Sequence, residues 1–423
     1  MWVVYDIVAF FILLFYLPIY LFKRKFHKGF LERFGMLSKE REFNVPIWIH
    51  AVSVGEAMAL KVFVAELKKK FPQRQLVIST VTPTGNKIAR RLAGSNDRVI
   101  YLPIDISFIV RRVIDKIKPV VFIIAETELW PNIISYFKRK GTPVLVVNGR
   151  FSDASFRGYM AIRLLIKPIF DAISFFCVQT ERDAKRLKHL GVAVEKIQVT
   201  GNMKFDILAL PGSKDIYAQC RSQMGVGPQD KLLVAGSTHP GEEEIVFRAF
   251  KELLSEFPKI RLFIAPRHPE RAKEVQRLAS CYGFSSIFIS NMQSTLSISP
   301  QPTTVFILDT IGELAKFYGA ADVVFVGGSL VKIGGHNILE PAALSKPILF
   351  GRYTFKFRDI TGLFLKNSAG TLVKDARDLT EKITCLLRSP EQAAQQGRRA
   401  LSLLEQNRGA SQKTLTSLSS YLK

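Results

Sequence analysis

The chain has 423 residues, 48% of them hydrophobic and 23% charged, so it is long enough for two ordinary domains and too apolar to be disordered. Lysine and arginine total 60 against 36 acidic residues, a formal net charge of +24; an excess of that size calls for an anionic partner, whether nucleic acid, anionic lipid or a phosphorylated substrate. Cys177, Cys220, Cys281 and Cys385 lie far apart with no C-x-x-C spacing, which argues against a disulfide framework or a zinc site and for reduced thiols.

The first 22 residues, "MWVVYDIVAFFILLFYLPIYLF", carry one charged side chain, Asp6. As a helix they would span ~33 Å, enough for a bilayer core. "KRKFHK" follows at once. A signal peptide has the opposite order, charge first and a small-residue cleavage site after. The expectation is an uncleaved anchor over 1–22 with the basic flank and the rest of the chain on the cytoplasmic side. The rival is an interfacial helix lying in one leaflet, which Asp6 and Pro18 favour.

Short apolar runs then alternate with helical patterns. Runs at 45–53, 75–80, 98–103, 119–126, 143–149 and 172–179 are rich in β-branched residues, which reads as a buried parallel sheet with helices on both faces. "VTGNMKFDILALPGSKD" (199–215) breaks the rhythm and reads as a linker. The alternation resumes with runs at 231–237, 261–267, 285–290, 304–309, 322–329, 347–351 and 370–374, followed by a helical tail from Ala376. The fold class is therefore α/β, with two Rossmann-like domains facing a cleft at the C-terminal ends of their strands. The boundaries read as anchor 1–22, basic juxtamembrane segment 23–45, first domain 46–205, linker 206–230, second domain 231–390 and helical tail 391–423.

Four strand exits hold candidate chemistry. In "HAVSVGEAMAL" a helix is expected to begin with Glu56, which reads either as a first-turn acid on the helix dipole or as a general base in a desolvated cleft. In "AETELWPN" Glu126 and Glu128 leave a buried strand just before Pro131 starts a helix, where they read as capping acids or as functional carboxylates. In "GGSLVKIGGHNILEPAALSKP" the pairs Gly327-Gly328 and Gly334-Gly335 precede a helix expected at about His336-Asn337. Successive amides there would make a phosphate site, with Glu340 placed for ribose hydroxyls. "AGSTHPGEEE" and "APRHPER" bring His239, Arg267 and His268 to strand ends as cationic candidates or surface residues. No His-x-x-Glu spacing carries a metal signal.

Together these stretches resemble the 3-deoxy-D-manno-octulosonic acid (Kdo) transferases of lipopolysaccharide synthesis. The resemblance rests on "HAVSVGE", "ETELWPN", "VNGRFS", "VTGNMKFD", "AGSTHPGEEE", "PRHPER" and "FVGGSLVKIGGHNILEPAA", which run in order from about 50 to 343. It implies a B-type glycosyltransferase fold, CMP-Kdo as donor, and a lipid A precursor, the tetraacylated bis-phosphorylated disaccharide lipid IVA, as acceptor. It implies Glu56 as the catalytic base and Glu126 as a second essential carboxylate. It places Gly334, Gly335, His336, Asn337 and Glu340 in the CMP site, and Ser237, Thr238, His239, Arg267 and His268 on the donor phosphate or the Kdo carboxylate. No metal and no cofactor are implied, and the transfer would be inverting. The location implied is the cytoplasmic face of a bacterial inner membrane, and acceptor phosphates with anionic lipids would account for the +24 charge. Arg352 departs from the pattern and adds a cation at the donor edge. No segment interleaves basic and aromatic residues along one face, so nucleic acid is not an expected partner.

Overall fold

The computed structural model describes residues 5–11, 14–15, 29–38, 42–206, 214–294, 301 and 303–422. Most of the anchor read over 1–22, the flank "KRKFHK" and residues 207–213 of the expected linker lie outside them. Residues 5–11 and 14–15 are helical. Among the described residues no helix is long and apolar enough to cross a membrane. The chain divides into two compact units, Met1–Asp206 with Asn407–Lys423, and Ile207–Gln406.

The first unit holds a parallel sheet of β1 (Ile47–His50), β2 (Leu76–Thr80), β3 (Arg98–Tyr101), β4 (Val121–Ala125), β5 (Val144–Gly149), β6 (Phe175–Val178) and β7 (Ile197–Val199) in the order β3-β2-β1-β4-β5-β6-β7. Ile49 lies beside Ile78 on one side and Ile123 on the other. With helices on both faces, both sets of alternating side chains are buried, which is why these strands read as unbroken apolar runs. On one face Trp48 meets Phe122 edge-on at 5.1 Å, and Phe122 stacks on Phe137 at 4.8 Å. On the other face Ile47, Ile49, Phe63, Leu67, Val121 and Ile123 form a core that takes in Leu415, Leu418 and Leu422 from the end of the chain. The helical tail is thus divided. Helix Pro390–Gln406 belongs to the second unit and helix Ala410–Ser417 to the first. The Asp206 carboxylate accepts from Gly409 N (2.7 Å) and Ser411 N (2.5 Å), satisfying the first amides of that last helix.

The second unit repeats the plan with β8 (Lys231–Thr238), β9 (Ile260–Pro266), β10 (Ser285–Phe288), β11 (Thr304–Ile307), β12 (Val323–Val326), β13 (Ile348–Gly351) and β14 (Thr371–Val373), ordered β10-β11-β9-β8-β12-β13-β14 and parallel throughout. Phe247, Phe250, Ile264, Phe325, Leu349 and Ile383 lie in its main core.

Two elements depart from the sequence reading. β7, which no apolar run announces, ends on Val199, the first residue of the stretch 199–215, and helix Lys214–Gln223 falls within 206–230. That helix is held by Tyr217, whose ring fills the space a Cβ on Gly319 would need. Its Arg221 donates to Ala320 O and pairs with Asp322 at 2.9 Å.

At the centre of the second sheet Gly236 has the Tyr318 ring and hydroxyl where a side chain would stand, and Tyr318 is fully buried. Gly236→Ala is expected to destabilise this unit by about 3 kcal/mol, since neither the strand nor a caged ring can move aside. Urea unfolding read on the second unit checks this, and a change under about 0.5 kcal/mol would refute the packing argument.

Candidate active site

Glu56 sits at the exit of β1. Helix Val54–Ala59 begins two residues earlier than its first acid because Ser53, in extended conformation, is its N-cap. Ser53 Oγ accepts from Glu56 N at 3.4 Å and donates to Glu56 Oε1 at 2.8 Å. Val52 N donates to Glu56 Oε2 at 2.7 Å. This is a variant of the capping box, in which the N3 carboxylate takes the N-cap hydroxyl and the amide before the cap instead of the N-cap amide. Two of about four lone-pair positions on the carboxylate are thereby used, and two stay open. Glu56 is 9% exposed. Burial first, then the charges of Glu126 and Glu128, push its carboxyl up to about 7 against the pull of Ser53 and Val52. A Cβ on Gly55 would meet only Ser53 Oγ, at 3.8 Å, so that side of the turn is open. Gly85 closes the other side, where an added Cβ would lie 3.4 Å from Val52 O.

Glu126 follows β4 with φ +55, a left-handed backbone that a non-glycine residue adopts at a cost of about 1–2 kcal/mol. Its N–H still reaches Val147 O at 2.9 Å, so the carboxylate turns away while the ladder continues. Lys204 Nζ lies 3.4 Å from Glu126 Oε1. Burial and then Glu126 push the Glu128 carboxyl upward. Lys204 was not singled out from sequence, although it stands inside "VTGNMKFD". Its place is set by Asn148 of "VNGRFS", whose Oδ1 accepts from Met203 N at 3.0 Å. His50, of the same motif as Glu56, is fully buried and shares its Nδ1 with Ser79 Oγ at 2.9 Å. Burial lowers it to about 3, so it is neutral. His50 Nε2, Thr80 Oγ1, Asn86 Nδ2 and Trp130 Nε1 are buried atoms without a hydrogen-bond partner among the described residues. All lie on strand exits or on the segments that follow them, where polar groups would be satisfied by a ligand or solvent.

In the second unit the residues expected at the donor form two groups. Ser237, with φ +58, ends β8 beside Thr238, whose buried hydroxyl has no partner among the described residues. His239 and His336 lie nearly in one plane, edge to edge, with centroids 5.0 Å apart, a 6° interplanar angle and their Nε2 atoms 2.8 Å apart, within hydrogen-bond distance. His268 meets His239 edge-on at 6.0 Å. Burial first, then neighbouring cations, lower His239 to about 4 and His336 to about 3. Arg267, Lys356 and His268 act on both rings, so positive charge converges on this pair. Arg267 is exposed and makes no ion pair among the described residues. Asn337 Oδ1 accepts from Leu339 N (3.1 Å) and its Nδ2 donates to Glu340 (3.2 Å). Arg352 is exposed, its guanidinium 5.0 Å from the centre of the Tyr353 ring.

The phosphate nest expected around Gly327-Gly328 is already filled. Glu242 is fully buried and its carboxylate accepts from Gly328 N (2.6 Å), Ser329 N (2.9 Å), Leu330 N (2.8 Å) and His239 N (3.1 Å). Gly335 N donates to Gly328 O at 2.7 Å. Nor does a helix begin at His336: the five-residue helix Leu339–Ala343 starts later. Gly334 and Gly335, at φ +109 and +80, shape the turn instead, and a Cβ on Gly334 would strike Phe355 at 2.6 Å. Glu243 pairs with Arg271 at 2.9 Å, tying "GEEE" to "PRHPER". Among the described residues no group of three or more His, Cys, Asp or Glu side chains is placed to hold a metal ion.

Residues 28–207 match the family model described as 3-deoxy-D-manno-octulosonic-acid transferase (kdotransferase). A 3-deoxy-D-manno-octulosonic acid transferase from Haemophilus influenzae is 35% identical over 379 residues, 89% of this chain and 87% of the relative. Among solved structures, the UDP-GlcNAc 2-epimerase of Neisseria meningitidis superposes with a TM-score of 0.58 over 89% of this chain and all of its own, at 14% identity. A glycosyltransferase from Rickettsia africae gives 0.55 over 89% and 98%, also at 14% identity. Those two likenesses concern the fold alone, that of two parallel-sheet α/β domains as in B-type glycosyltransferases. The match to the Haemophilus influenzae relative covers nearly the whole of both sequences, and by it the chain belongs to the 3-deoxy-D-manno-octulosonic acid transferase family.

Proposed function

We propose that the chain transfers Kdo from CMP-Kdo to the primary hydroxyl of a lipid A precursor, lipid IVA, with inversion at the anomeric carbon. The observation that carries this reading is the Glu56 carboxyl, buried at the β1 exit and titrating near 7 beside Glu126 and Glu128. A base poised at the working pH is half available as carboxylate and still basic enough to accept a proton. Glu56 takes the proton of the acceptor hydroxyl through one of its open lone pairs. The oxygen forms its bond to the anomeric carbon as the bond from that carbon to the CMP phosphate breaks, and CMP leaves with the electron pair. Glu126, held by Lys204, supports the first unit as the acceptor side. Arg267 and Lys356, around the neutral His239–His336 pair, supply the positive field for the donor phosphate and the Kdo carboxylate, and His268 stands beside them as a further contact. Ser237, Thr238, Asn337 and Glu340 line the donor side, with Glu340 on the ribose. Gly334 and Gly335 act there through the shape of their turn. The reaction needs no metal or cofactor. The acceptor is membrane-borne, which fits an enzyme at the cytoplasmic face of the inner membrane, drawn to anionic lipid by its +24 charge.

The test is transfer by the purified protein in detergent, with CMP-Kdo generated in situ and lipid IVA as acceptor, read by mass spectrometry. Stepwise gains of whole Kdo units are expected, and their number counts the additions. A folded protein that is protected thermally by UDP-sugars but not by CMP-Kdo would overturn the donor assignment in favour of another nucleotide-sugar enzyme.

A further inference from the structure

Asp6 is the one charge in an apolar run, and a carboxylate at the centre of a membrane helix costs about 2.5–3.5 kcal/mol. The structure gives it partners in the first unit. Asp6 Oδ1 accepts from Ser107 N at 3.1 Å, the first amide of helix Ser107–Ile117, and from Asn132 Nδ2 at 2.7 Å. Next to it, Tyr5 donates its hydroxyl to Asp105 Oδ2 at 3.0 Å. Asp105, buried, accepts from Asn132 N (3.1 Å) and Ile133 N (2.9 Å), the opening amides of helix Pro131–Lys140. Asn132 Nδ2 also donates to Asp105 O at 2.7 Å. The four side chains close one polar cluster, and Asn132 is the last residue of "ETELWPN". The N-terminal helix is therefore tied to the segment that carries Glu126 and Glu128. Its other side chains Ile7, Val8, Phe10 and Phe11 stay about half exposed, and Phe108, next to Ser107, is 70% exposed.

We propose that Tyr5 and Asp6 are positioning residues that dock the N-terminal helix onto the acceptor-side segment 126–132, so that a helix lying on lipid by its apolar residues orients this segment for a membrane-borne acceptor. The proposal rests on the lipid-acceptor reading above. It accounts for a charge that an anchor needing only apolar length has no use for. It also requires the helix to lie against the domain at residues 5 and 6, as an interfacial segment does.

Full-length Asp6→Ala, Asp6→Glu and Tyr5→Phe variants are measured three ways: sedimentation with phosphatidylglycerol–phosphatidylethanolamine vesicles, Kdo transfer at varied lipid IVA and varied CMP-Kdo, and hydrogen exchange. Asp6→Ala is expected to sediment like wild type. It should lower kcat/KM for lipid IVA about tenfold, the effect of a lost hydrogen bond to a charged group, and leave KM for CMP-Kdo unchanged. Exchange at residues 107, 132 and 133 should accelerate, Asp6→Glu should recover part of the loss, and Tyr5→Phe should show a smaller version of it. Wild-type exchange and acceptor kinetics in Asp6→Ala would overturn the docking. So would a loss of activity that follows loss of vesicle binding, since Asp6 would then act only through attachment. If wild type transfers no Kdo, the functional reading fails, while the exchange data still decide whether the helix docks.

Discussion

Glutamine at position 56 is expected to reduce Kdo transfer by about a thousandfold, the usual weight of a positioned general base. The amide keeps the size of the side chain and one acceptor oxygen for the capping box, so the fold should survive. In wild type the acid limb of the kcat/KM profile, which reports the free enzyme, should fall near pH 7, because Glu56 must lose its proton before it can accept another and its carboxyl lies at about 7. Part of that elevation comes from Glu126. Glu126→Gln should therefore move the acid limb of its residual activity to lower pH, a shift that a purely structural role for Glu126 does not produce. A glutamine variant at 56 retaining more than about a tenth of wild-type kcat/KM would remove Glu56 as the base. Stability should show the same carboxyl. Its folded pKa is raised from 4.5 to about 7. Its contribution is then complete below the unfolded value and lost as pH rises through the folded one, a full span of ~3 kcal/mol. Urea melts from about pH 5 to pH 8 should thus show wild type losing stability relative to Glu56→Gln.

Glu242→Ala is expected to be the most damaging single change in the second unit. The fully buried carboxylate takes four backbone N–H groups, three of them from Gly328, Ser329 and Leu330. An unsatisfied buried donor costs about 1–3 kcal/mol. Four partly relaxed by water still amount to about 4 kcal/mol or more, a large share of a domain's stability. The expected result is rapid hydrogen exchange over residues 326–336, lost CMP binding by calorimetry, and preserved protection of β1, β4 and β5 in the first unit. Glu242→Gln should be nearly as harmful, because its NH2 would face the amide donors. An alanine variant that binds CMP like wild type would show that His239 and His336 hold their places without this pin.

The architecture was open to a reading of residues alone because parallel strands buried on both faces need continuous β-branched runs, a pattern carried by neighbours in the chain. "PVVFIIAE" and "DVVFVGGS" could be little else. β7 escaped because Ile197, Gln198 and Val199 form a short edge strand directly before turn residues. Helix Lys214–Gln223 escaped because its polar face outweighs the few residues, such as Tyr217, that hold it in place. Motif positions put Glu56 and Glu126 at strand exits, where they stand.

Environment is another matter, since it is made by residues remote in the chain. Glu242, Glu243 and Glu244 stand side by side in the chain. The fold separates them, giving Glu242 to amides 86 to 88 residues away and Glu243 to Arg271. The glycines at 327 and 328 advertise a site for an anion, and nothing local says that the anion is the chain's own carboxylate. Lys204 looks like a linker residue until Asn148 brings it to Glu126. Asp6 looks like a flaw in an anchor until Ser107 and Asn132 meet it. Most strands and helices follow from periodicity within a dozen residues, and so the chain order alone determined them, β7, helix Lys214–Gln223 and the late start of helix Leu339–Ala343 excepted. Protonation, ion pairing and which amides stay free depend on burial and on groups brought together from 28 residues apart, as for Glu243 and Arg271, to 126, as for Asp6 and Asn132, and only the folded chain could decide those.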